Sequence, residues 1–184
     1  MPDIEMAGSF LIGGMLLLTI LALNTKIMET ATMNSLETNA QENVTVIVSI
    51  LDYDFRKMGY QVASGTTIIT DMTDTTIKFL SDIDDNGVVD TVNYYLGPTS
   101  EPTETDNPND RYLYRNINGT ASDVALGIIA WNLSYFGSDG SVTAVPASVR
   151  SIRIAFNVQT MVPFDTTYGE ARWEGRFSPK NLAD

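Results

Sequence analysis

The 184-residue sequence contains no Cys and no His. Without Cys, no disulfide bond can brace the fold, and thiolate nucleophiles and thiolate metal sites are excluded. Without His, the chain lacks the commonest general base and the commonest ligand of transition metals. We therefore expect a protein that is not an enzyme, and we assign no catalytic residue.

Positive charge is also scarce, because 11 Lys and Arg residues stand against 23 Asp and Glu residues and give a formal net charge of -12. An acidic surface repels phosphate backbones, so nucleic acid is not an expected partner. Its carboxylates are instead suited to divalent cations.

Residues 6–23 contain no charged side chain at all. This apolar run of about 18 residues is near the lower limit for a helix that spans a bilayer. Three interpretations are open: a secretory signal peptide, an ordinary membrane anchor, and a mature N-terminus from which a basic leader has been removed. No basic residue precedes the run and only Lys26 follows it closely, which favours the third interpretation.

The helical pattern continues well beyond the apolar run. No Pro occurs between Pro2 and Pro98, and no Gly between Gly14 and Gly59. We therefore predict one helix from residue 3 to residue 58, about 84 Å long, with Gly59 as its C-cap. Its second half has apolar residues at spacings of three and four, which predicts a single buried stripe: Leu36, Ala40, Val44, Ile47, Val48, Leu51, Phe55 and Met58.

After Gly59 the apolar period changes from that of a helix to that of strands. We predict strands at residues 66–70, 76–81, 91–96, 112–114, 131–135, 152–159 and 173–177. The predicted fold class is α+β, in which a long N-terminal helix packs on a mainly antiparallel β-sheet head. We divide the chain into a helical spine (1–59) and the head (60–184), and the spine into a transmembrane or filament-core half (1–25) and an amphipathic half (26–59).

One segment of the head, residues 82–93, fits the calcium-loop pattern D-x-[DN]-x-[DN]-G. Oxygens at its first, third and fifth positions would converge on one cation, and a main-chain carbonyl and later side chains would complete the site. The candidate ligands are Asp82, Asp84, Asn86, Val88 (through its carbonyl), Asp90 and Asn93. The alternative is that Asn86-Gly87 only forms a hairpin turn. Calcium is favoured because so many neighbouring carboxylates repel one another unless a cation lies between them.

Taken in order, these features resemble the type IV pilins and pseudopilins. A charge-free helix with Glu5 near its start leads into an amphipathic half and then into a β head. Within that superfamily the head most resembles PilW-type minor pilins and J-type minor pseudopilins. The segments that carry this resemblance are the hairpin around residues 82–90 and residues 112–116, 135–140, 149–154 and 176–182.

The resemblance implies how the subunit would assemble. A prepilin peptidase would cut before Met1, whose amine would be methylated, and Glu5 would pair with the Met1 amine of a neighbouring subunit. The expected function is that of a structural subunit of an extracellular, pilus-like filament, a homo-oligomer formed through the N-terminal helix. Before assembly the chain would lie in the inner membrane, where its partners would be other pilins and the assembly machinery.

Two alternatives to this function stay open. One is a minor pseudopilin of a type II secretion system, which would act in the periplasm. The other is a membrane-anchored, calcium-dependent binding module that never polymerises. In each case calcium is the expected cofactor.

Overall fold

The computed structural model describes residues 2–182, and side chains from residue 6 onward. Over these residues the chain forms one long helix followed by eight strands and two short 3-10 helices. The helix is α1 (Pro2–Lys57), and the 3-10 helices are Pro146–Ser148 and Lys180–Leu182. The strands are β1 (Ile69–Met72), β2 (Ile77–Ser81), β3 (Asp90–Leu96), β4 (Tyr112–Ile117), β5 (Thr120–Leu126), β6 (Ile128–Phe136), β7 (Ser151–Gln159) and β8 (Glu170–Phe177).

The end of α1 confirms the predicted helix stop. Gly59 has a φ of 80°, in the left-handed region that favours glycine after the last helical turn. Its N–H group donates to the carbonyl of Leu80 at 2.9 Å, so the chain leaves the helix directly onto β2. A Cβ atom at this position would lie 2.7 Å from the side chain of Ile68, which leaves no room for a larger residue.

The strands form two antiparallel sheets. The first has five strands in the order β1-β2-β3-β4-β5, and the second has three in the order β6-β7-β8. Every neighbouring pair is antiparallel and follows directly in the chain, so the sheets are built from successive hairpins. The α+β fold class is therefore confirmed.

The amphipathic half of α1 fills the space against both sheets. The ring centroid of Phe55 lies 5.6 Å from that of Phe79 and 5.8 Å from that of Tyr94, both in the five-stranded sheet. It also lies 5.2 Å from the centroid of Phe177 in the three-stranded sheet. The predicted stripe is buried or half-buried along its whole length, because it forms one wall of this core.

Two strand predictions need correction. The β-branched run at residues 66–70 does not form a strand as predicted, because Thr66 N–H closes a turn onto Ala63 O and β1 begins only at Ile69. The strand β5 was not predicted, since most of its side chains are small or polar and half-buried or exposed. Main-chain pairing with β4, and not burial of its own side chains, holds β5 in place.

Candidate metal site

The β2–β3 hairpin brings three of the predicted carboxylates together. Ser81, the last residue of β2, pairs with Asp90, the first residue of β3, so the hairpin loop starts and ends at adjacent positions. Asp82 and Asp84 lie within that loop, and one carboxylate oxygen from each of Asp82, Asp84 and Asp90 falls within 4.8 Å of the others. Oxygens on opposite sides of one calcium ion are about 4.6–5.2 Å apart. The three carboxylates therefore fit around a single calcium ion.

Main-chain amides fold the loop around Asp82, whose side chain is buried. One of its carboxylate oxygens accepts the N–H of Asn86 at 3.1 Å, and the other accepts the N–H of Gly87 at 2.9 Å. Gly87 has a φ of 85° and Asp85 a φ of 61°, so the loop turns sharply at both positions. Each carboxylate oxygen has further lone pairs, so these hydrogen bonds do not compete with a cation.

Asp90 is oriented by its own hairpin and by the neighbouring β4–β5 hairpin. Its Oδ2 atom accepts the N–H of Ile83 at 3.1 Å, and its Oδ1 atom accepts the amide of Asn118 at 2.6 Å. Asn118 in turn accepts the N–H of Thr91 at 2.9 Å, which fixes the orientation of its amide. Outer groups of this kind orient the ligands in metal sites. The local calcium-loop pattern does not contain Asn118, because this residue lies far away in sequence, in the β4–β5 turn.

The remaining predicted ligands divide into two groups. Asn86 and Val88 lie in the same turn, where Val88 N–H donates to Asn86 Oδ1 at 2.8 Å and Asn86 Nδ2 donates to Asp84 at 2.9 Å. Asn93 is not brought to the site. It lies within β3 between Lys78 and Asn116, and because it is three residues from Asp90 its side chain points to the opposite face of the sheet.

The loop is tied to the end of α1. Lys57 Nζ lies 2.5 Å from Asp85 and donates to the Ile83 carbonyl at 3.0 Å, while the Tyr53 hydroxyl donates to the same carbonyl at 3.2 Å. The hydrogen bond to Asp85 raises the pKa of Lys57 above its ordinary value. Asp85 thus forms an ion pair with Lys57 in the last turn of α1 and does not belong to the three-carboxylate group.

A second charged group, not predicted from the sequence, joins α1 to the five-stranded sheet. The carboxylate of Asp54 is buried and accepts both Arg115 Nε at 2.5 Å and Arg115 Nη2 at 2.8 Å. The Tyr94 hydroxyl donates to it at 2.5 Å. Burial and then the Asp54 charge raise the pKa of Tyr94, and the hydrogen bond to Asp54 raises the pKa of Arg115. This arrangement fixes the helix on the sheet.

The apolar start of α1 stands apart from the head. Over residues 6–57 the helix is long and apolar enough to cross a membrane, and none of its most apolar 18-residue window is buried in the protein. Its Leu, Ile, Met and Phe side chains are more than half exposed from Met6 to Met28. Met1 and the side chain of Glu5, the predicted assembly pair, lie outside the part of the chain that the structure describes.

No protein-family model matches the chain, and no curated protein matches it.

Proposed function

We propose that the protein is a structural subunit of a pilus-like filament that polymerises through the apolar half of α1. The observation that carries this proposal is the contrast between the two halves of one unbroken helix. Residues 6–28 present apolar side chains to every side, whereas residues 40–58 bury a single apolar stripe in the core of the head. A helix that is apolar all round is stable only when it is surrounded by lipid or by other apolar helices.

Burial against identical helices supplies the driving force for assembly. Covering apolar surface contributes about 25 cal/mol per Å² relative to water, or about 1.5–3 kcal/mol for one Leu side chain. The helix carries many such side chains, while the head that it projects from is acidic and water-facing. The apolar half of α1 can therefore be buried either in a membrane or in the core of a filament, and the head lies outside in both states.

The three-carboxylate hairpin is proposed as a calcium site within that head. Asp82, Asp84 and Asp90 would hold the ion, with Asn86 and Val88 close by in the loop. The ion would neutralise the repulsion among the carboxylates and join the two ends of the hairpin loop. This proposal rests on the distances among the carboxylate oxygens, and the plain hairpin turn is the outcome that calorimetry would have to exclude.

Electron microscopy of material sheared from the cell surface tests the filament, with an antibody against the head to identify the subunit. We expect filaments that carry the antibody along their length or at their tip. Retention of all the protein in the membrane fraction, with no labelled filament, would contradict the proposal.

The same fractionation tests the second candidate, a membrane-anchored module that does not polymerise. The membrane-spanning length of α1 favours it as a specific alternative, since one helix in lipid buries the same surface. It predicts that the chain stays in the membrane fraction. It also predicts that a short reagent that reacts with lysines or carboxylates does not cross-link one head to another. Labelled periplasmic, rather than surface, filaments would instead indicate a secretion pseudopilus.

A further inference from the structure

The loop between β3 and β4 (residues 97–111) carries a carboxyl group that is completely buried. Asp110, near the end of this loop, has 0% of its surface exposed. Its Oδ2 atom lies 2.6 Å from Thr105 Oγ1, and its Oδ1 atom has no hydrogen-bond partner among the residues that the structure describes. A carboxylate ion in this position would lose its hydration and gain only one hydrogen bond in return, which is costly.

The neighbours of the Thr105 hydroxyl indicate where a proton lies. Thr105 Oγ1 accepts the N–H of Asn107 at 3.0 Å, and it also lies 3.0 Å from the carbonyl oxygen of Met161 in the loop between β7 and β8. A hydroxyl group has only one hydrogen to donate, so it cannot serve both Met161 and Asp110. Two oxygens 2.6 Å apart need a hydrogen between them. A protonated Asp110 supplies it, because its own O–H then donates to Thr105 while Thr105 donates to Met161.

The charged and titratable groups around Asp110 do not stabilise its ionised form. Arg111, the next residue, forms none of the ion pairs among residues 2–182 and lines a cavity beside β6. The residues of the β7–β8 side that bond the loop, 159–161, are uncharged. The other titratable groups of this region are two exposed acids, whose charge disfavours a further anion, and two tyrosines: Glu104, Asp106, Tyr112 and Tyr168.

We propose that Asp110 is a pH-sensitive latch between the two sheets. Its protonated carboxyl holds the β3–β4 loop against the β7–β8 loop, and loss of this proton to water releases the β3–β4 loop. Two further hydrogen bonds lie across the same contact. Asp106 N–H donates to Met161 O at 3.0 Å, and Asn107 Nδ2 donates to Gln159 Oε1 at 3.0 Å. The latch therefore joins a loop of the five-stranded sheet to the end of a hairpin of the three-stranded sheet.

The sign of the pH dependence follows from burial. In the open loop Asp110 has the ordinary Asp pKa of about 4. In the closed loop burial raises the pKa of Asp110, by more than the hydrogen bond with Thr105 lowers it. The closed form is thus favoured most strongly below about pH 4. As the pH rises from there to the raised pKa, the ratio of closed to open loops falls by about tenfold per pH unit, and above that pKa it stays constant.

NMR of the full chain in detergent micelles tests the latch between pH 4 and pH 9. With ¹³C-labelled Asp, the side-chain carboxyl signal of Asp110 should titrate with a midpoint clearly above that of an ordinary Asp. The N–H signals of Asp106 and Asn107, whose groups are bonded in the closed loop, should move with the same midpoint. An Asp110 that titrates at or below about pH 4, or loop signals that do not move with it, would overturn the proposal.

Variants separate the latch from a general effect of pH on the loop. Asp110→Asn is a neutral match of the protonated acid, and its amide can still donate to Thr105. It should keep the loop closed, so the N–H signals of Asp106 and Asn107 should no longer respond to pH in this range. Asp106→Asn removes an exposed acid of the same loop, and its Asn107 signal should titrate as in the wild type. An unchanged titration of the loop in Asp110→Asn, or its loss in Asp106→Asn, would contradict the role of Asp110.

Discussion

Asp54 is a charged residue in the middle of the contact between α1 and the five-stranded sheet. Its position follows from the helix period, since it lies three residues after Leu51 and four before Met58, on the same stripe. A polar residue on a stripe of apolar ones is the signal that sequence analysis could have used. Its partners could not have been found this way, because Tyr94 and Arg115 come from strands whose register only the fold determines.

We predict that Asp54→Ala will lower the free energy of unfolding by about 3–5 kcal/mol, because it leaves the half-buried Arg115 without its counter-charge. The combined variant Asp54→Leu with Arg115→Met should be more stable than Asp54→Ala, since no charge is then left unpaired. Denaturant unfolding of the full chain in detergent, followed by tryptophan fluorescence, measures both. Asp54→Leu and Arg115→Met are also measured singly, and a combined loss equal to the sum of these two single losses would show that the pair does not interact.

Alkaline pH should destabilise the head through its tyrosines. Burial raises the pKa of Tyr94 and Tyr135, and hydrogen bonds to Glu104 and Glu101 raise the pKa of Tyr112 and Tyr114 to about 12. The unfolded chain therefore loses these protons first, so the stability that they contribute is complete below about pH 10 and falls as the pH rises.

The matched variant for this pH dependence is Tyr94→Phe. It should be less stable than the wild type at pH 7, because the hydrogen bond to Asp54 is lost. Above pH 10 its stability should fall less steeply, by about 1.4 kcal/mol per pH unit, since one fewer proton is released on unfolding. The measurement is the free energy of unfolding from pH 8 to pH 12. Parallel curves for the two proteins would contradict the role of Tyr94.

At the scale of elements, the β2–β3 hairpin permits a clean test of calcium. Titration calorimetry on the full chain should show calcium binding, and Asp84→Ala should abolish it. Asp84 is the exposed member of the group, so its loss removes a ligand with little cost to folding. Calcium at about one hundred times its Kd should stabilise the wild type by about 2.7 kcal/mol.

The control for this hairpin is Asp85→Ala, which removes a carboxylate of the same loop that pairs with Lys57 instead. It should still bind calcium, although the end of α1 is held less firmly. If the wild type gives no heat with calcium, the hairpin is a plain turn. If Asp85→Ala and Asp84→Ala lose binding equally, the ion depends on the total charge of the loop and not on the three converging oxygens.

The sequence predicts the β2–β3 hairpin but not the β4–β5 hairpin. The loop of the β2–β3 hairpin has a spacing of acids that a local pattern can detect, and three of its acids do converge. Asn93 was included because the pattern assumes a helix after the loop, whereas an extended strand carries that residue away. The β4–β5 hairpin was missed although Asn118-Gly119, with φ values of 52° and 92°, is a strong turn signal, because the strand that follows it has no apolar alternation.

At the scale of the whole molecule, the two halves of α1 have different surroundings. The second half of α1 is indispensable to the head, because Phe55 connects the cores of both sheets. The first half makes no buried contact within the described chain. This division was predictable, because the sequence changes from a continuous apolar run to apolar residues at spacings of three and four. What surrounds the first half cannot be predicted in the same way, because it depends on molecules other than this chain.

The same substitution in the two halves tests this division. Leu17→Arg should leave the free energy of unfolding of the head within about 0.5 kcal/mol of the wild type, because Leu17 is 58% exposed and touches nothing in the head. Leu51→Arg should unfold the head, since a fully buried Leu would be replaced by an unpaired charge. Unfolding is measured by tryptophan fluorescence, and assembly by the amount of chain in sheared filaments.

The two variants should then fail in opposite ways. Leu17→Arg should give a folded head that is absent from filaments, because a charge among packed apolar helices or at the centre of a bilayer is costly. Leu51→Arg should be lost before assembly, through unfolding and degradation of the chain. Filaments of normal yield from Leu17→Arg would show that the apolar half is not the assembling surface, whereas a destabilised Leu17→Arg head would show that the two halves of the helix are coupled.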